Sequence, residues 1–166
     1  MTKNTSLLSV YQTCIRATEK LISPSGYDRK GSIFRHWTDG NLGLVQFQKA
    51  KRGTARLEFT VNLGVVCGKL FEEWKGEIEK ADVWDAHLRT RLGMLMPERR
   101  DTWWVIDEAT QTEEMAEQIS TLVRDLGIPY LEGHIRTADL ITLWRSERSP
   151  GATEVERRSY LSVLAN

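Results

Sequence analysis

The sequence is poor in the residues that usually carry recognisable chemistry. It has two cysteines, three histidines and four prolines in 166 residues, and its 23 Lys and Arg balance 23 Asp and Glu. That balance excludes a general electrostatic attraction to nucleic acid or to anionic membranes and leaves only local patches. No run approaches the ~18 apolar residues of a membrane span, and the opening "MTKNTSLLSV" lacks the apolar core of a signal peptide. Cys14 and Cys67 belong to no CxxC pair, which fits buried thiols in a reducing compartment better than a disulfide framework. A cytoplasmic setting is therefore expected, in which the formal sequon Asn4-Thr5-Ser6 goes unused. His36, His87 and His134 show no ligand spacing, so neither a metal nor a cofactor is expected. There is no GxGxxG, GxSxG or HExxH, and "GVVCGKL" at 64–70 is one residue short of a phosphate loop and ends on Leu70 instead of a hydroxyl residue.

What is present reads as an ordinary globular chain, 40% hydrophobic and 28% charged, long enough for one domain with a real core. A first helix is predicted from about Asn4 to Ser23, because Leu7, Tyr11, Cys14, Thr18 and Leu21 share a stripe with Val10, Ile15 and Ile22. "SPSG" at 23–26 ends it. Three strands follow, "GSIFRHWT", "LGLVQFQKA" and "ARLEFTVNLGVV", joined by turns at Asp39-Gly40 and Lys51-Arg52-Gly53. Residues 68–83, with Leu70, Phe71 and Trp74, read as a short helix and loop, and 85–95 as a fourth strand. "DTWWVID" is a short extended piece whose Trp103 and Trp104 face opposite ways. "TQTEEMAEQISTLVRDLGIP" is a helix, capped by Thr110 or Thr112 and ended by Gly127 and Pro129; two shorter helices follow near 137–147 and 153–164. The predicted class is α+β, an antiparallel meander of four to five strands with helices mainly on one face.

Strand parity assigns the faces. Leu57, Phe59, Val61, Leu63 and Val65 point one way, and Arg56, Glu58, Thr60, Asn62 and Gly64 the other. A three-residue loop at 51–53 pairs Ala50 with Thr54, Phe47 with Leu57, Val45 with Phe59 and Gln48 with Arg56. Asp39-Gly40 pairs Thr38 with Asn41 and places Phe34 beside Val45 in the core. Ile33, Trp37, Leu42 and Leu44 then form an apolar edge on the second face, a patch of the kind that usually marks an interface. The helix at 153–164, with Val155, Tyr160, Leu161 and Leu164, is the expected cover, and a second subunit of a homodimer is the alternative.

The fourth strand concentrates ionisable groups. Asp85, His87, Arg89 and Arg91 fall on one face, with Ala86, Leu88, Thr90 and Leu92 on the other. Beside Thr60, Asn62 and Gly64, and continued by Gln46, Gln48, Arg56 and Glu58, they make a polar surface. One reading is a solvated face whose ion pairs contribute at most ~1 kcal/mol each. The other is a site for an anion, held by two arginines two residues apart, with His87 as a titratable donor. A Cys67–His87 nucleophilic pair is conceivable in such a sheet, but no orienting group is evident.

"GYDRKGSIFRH", "FQKAKRGTARLEFTVNLGV", "HLRTRLGML" and "DTWWVIDEAT", in this order, resemble the bacterial family known as domain of unknown function 4304, over most of residues 5–132. The resemblance implies a small, mostly stand-alone cytoplasmic domain at 1–132, followed by a C-terminal helical extension at 133–166 within one 1–166 unit. It brings no catalytic residue. The expected function is a non-enzymatic binding or interaction protein, immunity- or accessory-like, using the second sheet face. The alternative is a small enzyme or binding domain for a phosphorylated or carboxylated molecule, using His87, Arg89, Arg91 and Asn62. A deep closed pocket over the polar face favours the alternative, and an open one favours interaction.

Overall fold

The computed structural model describes residues 6–50, 55–71 and 76–165. Helix α1 (Leu7–Ile22) starts where the Ser6 hydroxyl accepts the Ser9 N–H, and it buries Val10, Tyr11, Cys14, Ile15, Thr18 and Ile22. The sheet follows: β1 (Asp28–Lys30), β2 (Ile33–Thr38), β3 (Asn41–Lys49) and β4 (Leu57–Val66). After the single-turn helix α2 (Gly68–Phe71) come β5 (Leu88–Arg91) and β6 (Trp104–Ile106). Helix α3 (Thr112–Leu122) runs through a π-helical turn, Val123–Gly127, into α4 (Ile128–Glu132), and α5 (Thr137–Arg145) and α6 (Glu154–Leu164) close the described chain. No described helix is long and apolar enough to cross a membrane.

The fold is α+β, with an antiparallel meander β1-β2-β3-β4-β5 and β6 added beside the start of β4. Strand β1 escapes a hydrophobicity reading because all its residues are charged and exposed; Gly31, at φ +64°, turns it onto β2. The Asp39-Gly40 hairpin has the expected register, Thr38 opposite Asn41 and Phe34 opposite Val45, with both turn residues at positive φ. The β3–β4 register differs. Phe47 opposes Val61, Val45 opposes Leu63 and Gln48 opposes Thr60. The shift for Phe47 is 61 − 57, four positions. An even shift keeps every side chain on its expected face. The Ala50 N–H donates to the Glu58 carbonyl at 2.8 Å, so the connection is longer than three residues; its 51–54 portion lies outside the described residues.

Two other boundaries move. The fourth strand covers only Leu88–Arg91, because both its flanks are wound into 3₁₀ turns, Val83–Asp85 and Leu92–Leu95. Neither Gly127 nor Pro129 ends the long helix. Proline removes an N–H and crowds the carbonyl four residues back, but here the π turn carries a Val123 carbonyl to Ile128 N–H bond and widens the backbone at that point. Its first turn has Gln111 at the cap with no side-chain bond; the Thr110 hydroxyl instead accepts the Asp107 N–H at 2.9 Å in the preceding turn.

Two apolar clusters sandwich the sheet. The larger joins Phe34, Val45, Phe47, Phe59, Val61 and Leu63 to α1, α3, α4 and α5, with Trp144 fully buried. The smaller, on the second face, joins Leu42, Leu44 and Val66 to Phe71, Ala81 and Ala86, with Ile33 partly buried against it. The apolar edge is therefore covered, but by the segment between β4 and β5 and not by the 153–164 helix. The Arg35 guanidinium donates to the Ala81 carbonyl at 2.9 Å, and the Val83 N–H donates to Gln46 Oε1 at 2.9 Å, which ties that segment across the face. Trp37 stays outside the cover, 44% exposed. Helix α6 packs on α5 instead, where Tyr160 lies 5.0 Å from the Trp144 ring and Arg157 donates to the Trp144 carbonyl.

Candidate functional site

The short strand β5 brings part of the predicted polar face together. Asn62 opposes Arg91 and Gly64 opposes Arg89, on the side away from the helix-packed cluster that takes Leu88 and Leu92. The Asn62 amide donates to Gln48 Oε1 at 2.9 Å, and Arg91 Nε donates to Asn62 Oδ1 at 3.3 Å. Arg91 also forms an ion pair with Asp101, and its guanidinium lies 5.2 Å from the centre of the Trp103 ring. Trp104 turns the other way into the core, as their adjacency requires. Arg89 is half-buried, 5.8 Å from the centre of the Trp84 ring, and donates from Nη2 to the Gly151 carbonyl at 3.0 Å. Among the described residues no carboxylate lies within ion-pairing distance of Arg89.

The remaining candidates lie elsewhere. Arg56 precedes β4, is exposed and pairs with Glu58 at 3.2 Å, away from Gln48. Asp85 is not on a strand face: Asp82 Oδ1 accepts the Trp84 N–H at 2.8 Å, and Asp85 Oδ2 accepts the Asp82 N–H at 3.0 Å, a reciprocal cap of the 3₁₀ turn. Parity consequently fails at Ala86, which joins the second-face cluster, packed against Gly64. His87 is 7% exposed, edge-on to the Tyr160 ring at 5.1 Å, and its Nδ1 accepts the Cys67 backbone N–H at 3.0 Å. Burial lowers its pKa from 6.5 to about 4, against the opposing pull of Asp85 and Glu156. The Cys67 contact is to backbone, and burial raises the thiol pKa, the reverse of what an activated nucleophile needs. Gly68 N–H is taken by Asn41 Oδ1 at 2.9 Å, so "GVVCGKL" is no phosphate cradle. Among the described residues no three His, Cys, Asp or Glu side chains gather as metal ligands.

Two hollows flank Trp84 and Arg89. The larger is an open groove of about 490 Å³ lined by Asn62, Val83, Trp84, Arg89, Thr90, Arg91, Met94, Asp101, Pro150 and Gly151. The smaller, about 290 Å³ and more enclosed, lies between the 83–87 segment and α6. Sequence reasoning found Asn62, Arg89 and Arg91 but missed Trp84, Met94, Asp101, Pro150 and Gly151. The Asp82–Asp85 spacing was a legible cap signal; nothing in the pattern brings "SPGA" against β5. Arg91→Ala is expected to cost about 1 kcal/mol, because the ion pair is partly exposed and Asn62 keeps Gln48; a chemical denaturation curve checks it. A loss of several kcal/mol would make Arg91 a buried structural group.

An antiparallel meander with a helix-packed face and an open, arginine-bearing groove on the other is the class of domain this chain defines. The chain belongs to the family described as "Domain of unknown function (DUF4304)", which matches residues 18–133. No curated protein and no solved structure matches it. The match ends after α4, so α5, α6 and the Pro150-Gly151 wall of the groove lie beyond it.

Proposed function

We propose that the protein is a non-enzymatic binding module, accessory- or immunity-like, whose groove takes a partner segment carrying a carboxylate next to an apolar side chain. The observation that carries this reading is the groove's chemistry. Trp84 and Met94 are 55% and 44% exposed in its walls, and Arg89, which lines the same groove, forms no ion pair among the described residues. Tryptophan, methionine and arginine are enriched at interfaces, and an exposed indole beside a guanidinium with no carboxylate in contact fits an acidic, apolar segment. A catalytic role draws little support, since His87 is bound to backbone through Nδ1 and the Cys67 thiol is held protonated. A small anion gripped by both arginines is disfavoured because Asp101 already neutralises Arg91. The two buried free thiols fit a cytoplasmic setting.

The test is fluorescence titration with short synthetic peptides that place glutamate or aspartate beside leucine or phenylalanine, each with a lysine-substituted counterpart. Acidic peptides are expected to bind and basic ones not. Trp84→Ser and Arg89→Glu are each expected to weaken binding by at least about tenfold. Trp84→Ser should shift stability by no more than about 0.5 kcal/mol, as for an exposed side chain. No binding to any acidic peptide, or equal binding to the lysine series, would overturn the reading.

A further inference from the structure

The smaller cavity calls for a different ligand. Its lining includes Asp85, His87, Arg89, Glu156, Ser159 and Tyr160. Arg89 and Glu156 both face it and feel each other's charge, yet form no ion pair. Each carboxylate is fixed by a reciprocal cap: Glu156 Oε2 accepts the Thr153 N–H at 2.7 Å and Asp85 Oδ2 the Asp82 N–H, and the second oxygen of each takes no hydrogen bond from the described residues. His87 is more than nine-tenths buried, and because Nδ1 accepts a backbone N–H, the proton of the neutral ring sits on Nε2. Among the described residues nothing accepts that proton, and the ring borders the cavity.

We propose that this cavity binds a small zwitterion of the α-amino-acid class, its ammonium between Glu156 and Asp85 and its carboxylate on Arg89 and the His87 Nε2–H. The charges decide the class. Two carboxylates and one guanidinium disfavour a simple anion, and a lone cation would leave Arg89 and the His87 donor unanswered. A ligand bearing both charges close together satisfies the two sides that the protein itself leaves apart. The volume, about 290 Å³, sits at the lower end of ordinary small-molecule sites, which start near ~300 Å³. That is ample for a free amino acid and small for a nucleotide or a longer peptide. This site shares Trp84, Arg89 and Gly151 with the groove, but His87 and Glu156 border the smaller cavity alone, so a loss of amino-acid binding in Glu156→Gln with peptide binding retained tells the two readings apart.

The test is calorimetric titration of the full chain with each of the common free amino acids. Acetate, methylammonium and an N-acetylated amino-acid amide serve as ligands lacking one or both charges. At least one amino acid is expected to bind tighter than about 1 mM, and each control at least about tenfold more weakly. Glu156→Gln keeps the helix cap, since glutamine serves at that position, but removes the charge. It is expected to leave the melting temperature of the free protein nearly unchanged and to weaken binding by about tenfold or more. Arg89→Lys should weaken binding similarly, because a single ammonium cannot hold the Gly151 carbonyl and a ligand carboxylate at once as the guanidinium fork can. The proposal is overturned if no amino acid binds, if acetate binds as tightly as the zwitterion, or if both variants bind like the native protein.

Discussion

Acidification from pH 6.5 to about 4 is expected to remove roughly 3 kcal/mol of stability through His87 alone. In the unfolded chain the imidazole takes its proton near 6.5, and in the folded protein only near 4. Between these values the unfolded state binds more protons, so stability falls as pH falls; the contribution is intact above 6.5 and fully lost below about 4. The cause is geometric as well as dielectric. A protonated ring would set an N–H against the Cys67 N–H that Nδ1 now accepts, inside a pocket closed by Tyr160. Asp85 and Glu156 face the ring and favour its charge, Arg89 lines the same cavity, and burial outweighs the two carboxylates. In His87→Asn the amide oxygen can replace Nδ1 as acceptor without titrating. Urea denaturation of both proteins at neutral and acid pH measures the effect. The native protein should lose roughly 3 kcal/mol more than the variant on acidification, and parallel losses would show that the ring does not report its burial.

Gly151→Ala is expected to cost about 2–4 kcal/mol, the sum of a left-handed backbone penalty and a clash that the loop cannot relieve in place. Gly151 has φ +76°, and a Cβ there would meet Arg89 Cβ at 2.5 Å, its carbonyl oxygen at 2.9 Å and its nitrogen at 3.0 Å. The contact exists because the Arg89 N–H donates to the Pro150 carbonyl at 3.0 Å and the Arg89 side chain returns to the Gly151 carbonyl. Moving the loop away breaks both bonds and removes a wall from both hollows. Gly31→Ala is the control. Its φ is +64° and nothing lies within 4 Å of the added atom, so only the backbone penalty of about 1–2 kcal/mol applies. Denaturation curves for the two variants separate the terms. Equal losses would mean that docking of the loop on β5 contributes nothing.

Where local chemistry decides the structure, the sequence is legible. Asp39-Gly40 announces a hairpin because both positions need positive φ, and the alternation in β4 sorts the faces correctly even though its register with β3 is displaced. Asn62, Arg89 and Arg91 were found for the same reason, since parity holds across Leu88–Arg91. It fails two residues earlier, because the reciprocal caps of Asp82 and Asp85 withdraw that stretch from the strand and turn His87 from a surface donor into a buried one. The cover of Leu42 and Leu44 was not legible either: Phe71, Ala81 and Ala86 are too sparse to form a period and act only through their position across the sheet. Trp84 and Gly151 meet around Arg89 from widely separated parts of the chain, a proximity that no spacing rule encodes.

The bond from Arg89 N–H to the Pro150 carbonyl also bears on biosynthesis. The meander is sequential from β1 to β5, so its strands can pair as they leave the ribosome, each beside the one made just before. At one border the sheet ends in β1, three charged residues that offer a poor template to another chain. At the other, β5 and β6 share the side of β4, and β5 gains its bond to the Pro150 carbonyl only when residue 150 has emerged and folded back. A nascent chain stalled short of that point presents an uncapped strand border with leucine on one side of it. The backbone around residue 150 thus occupies a hydrogen-bonding position on β5 that another strand could otherwise take, and it reaches that position only by folding back over some sixty residues of chain.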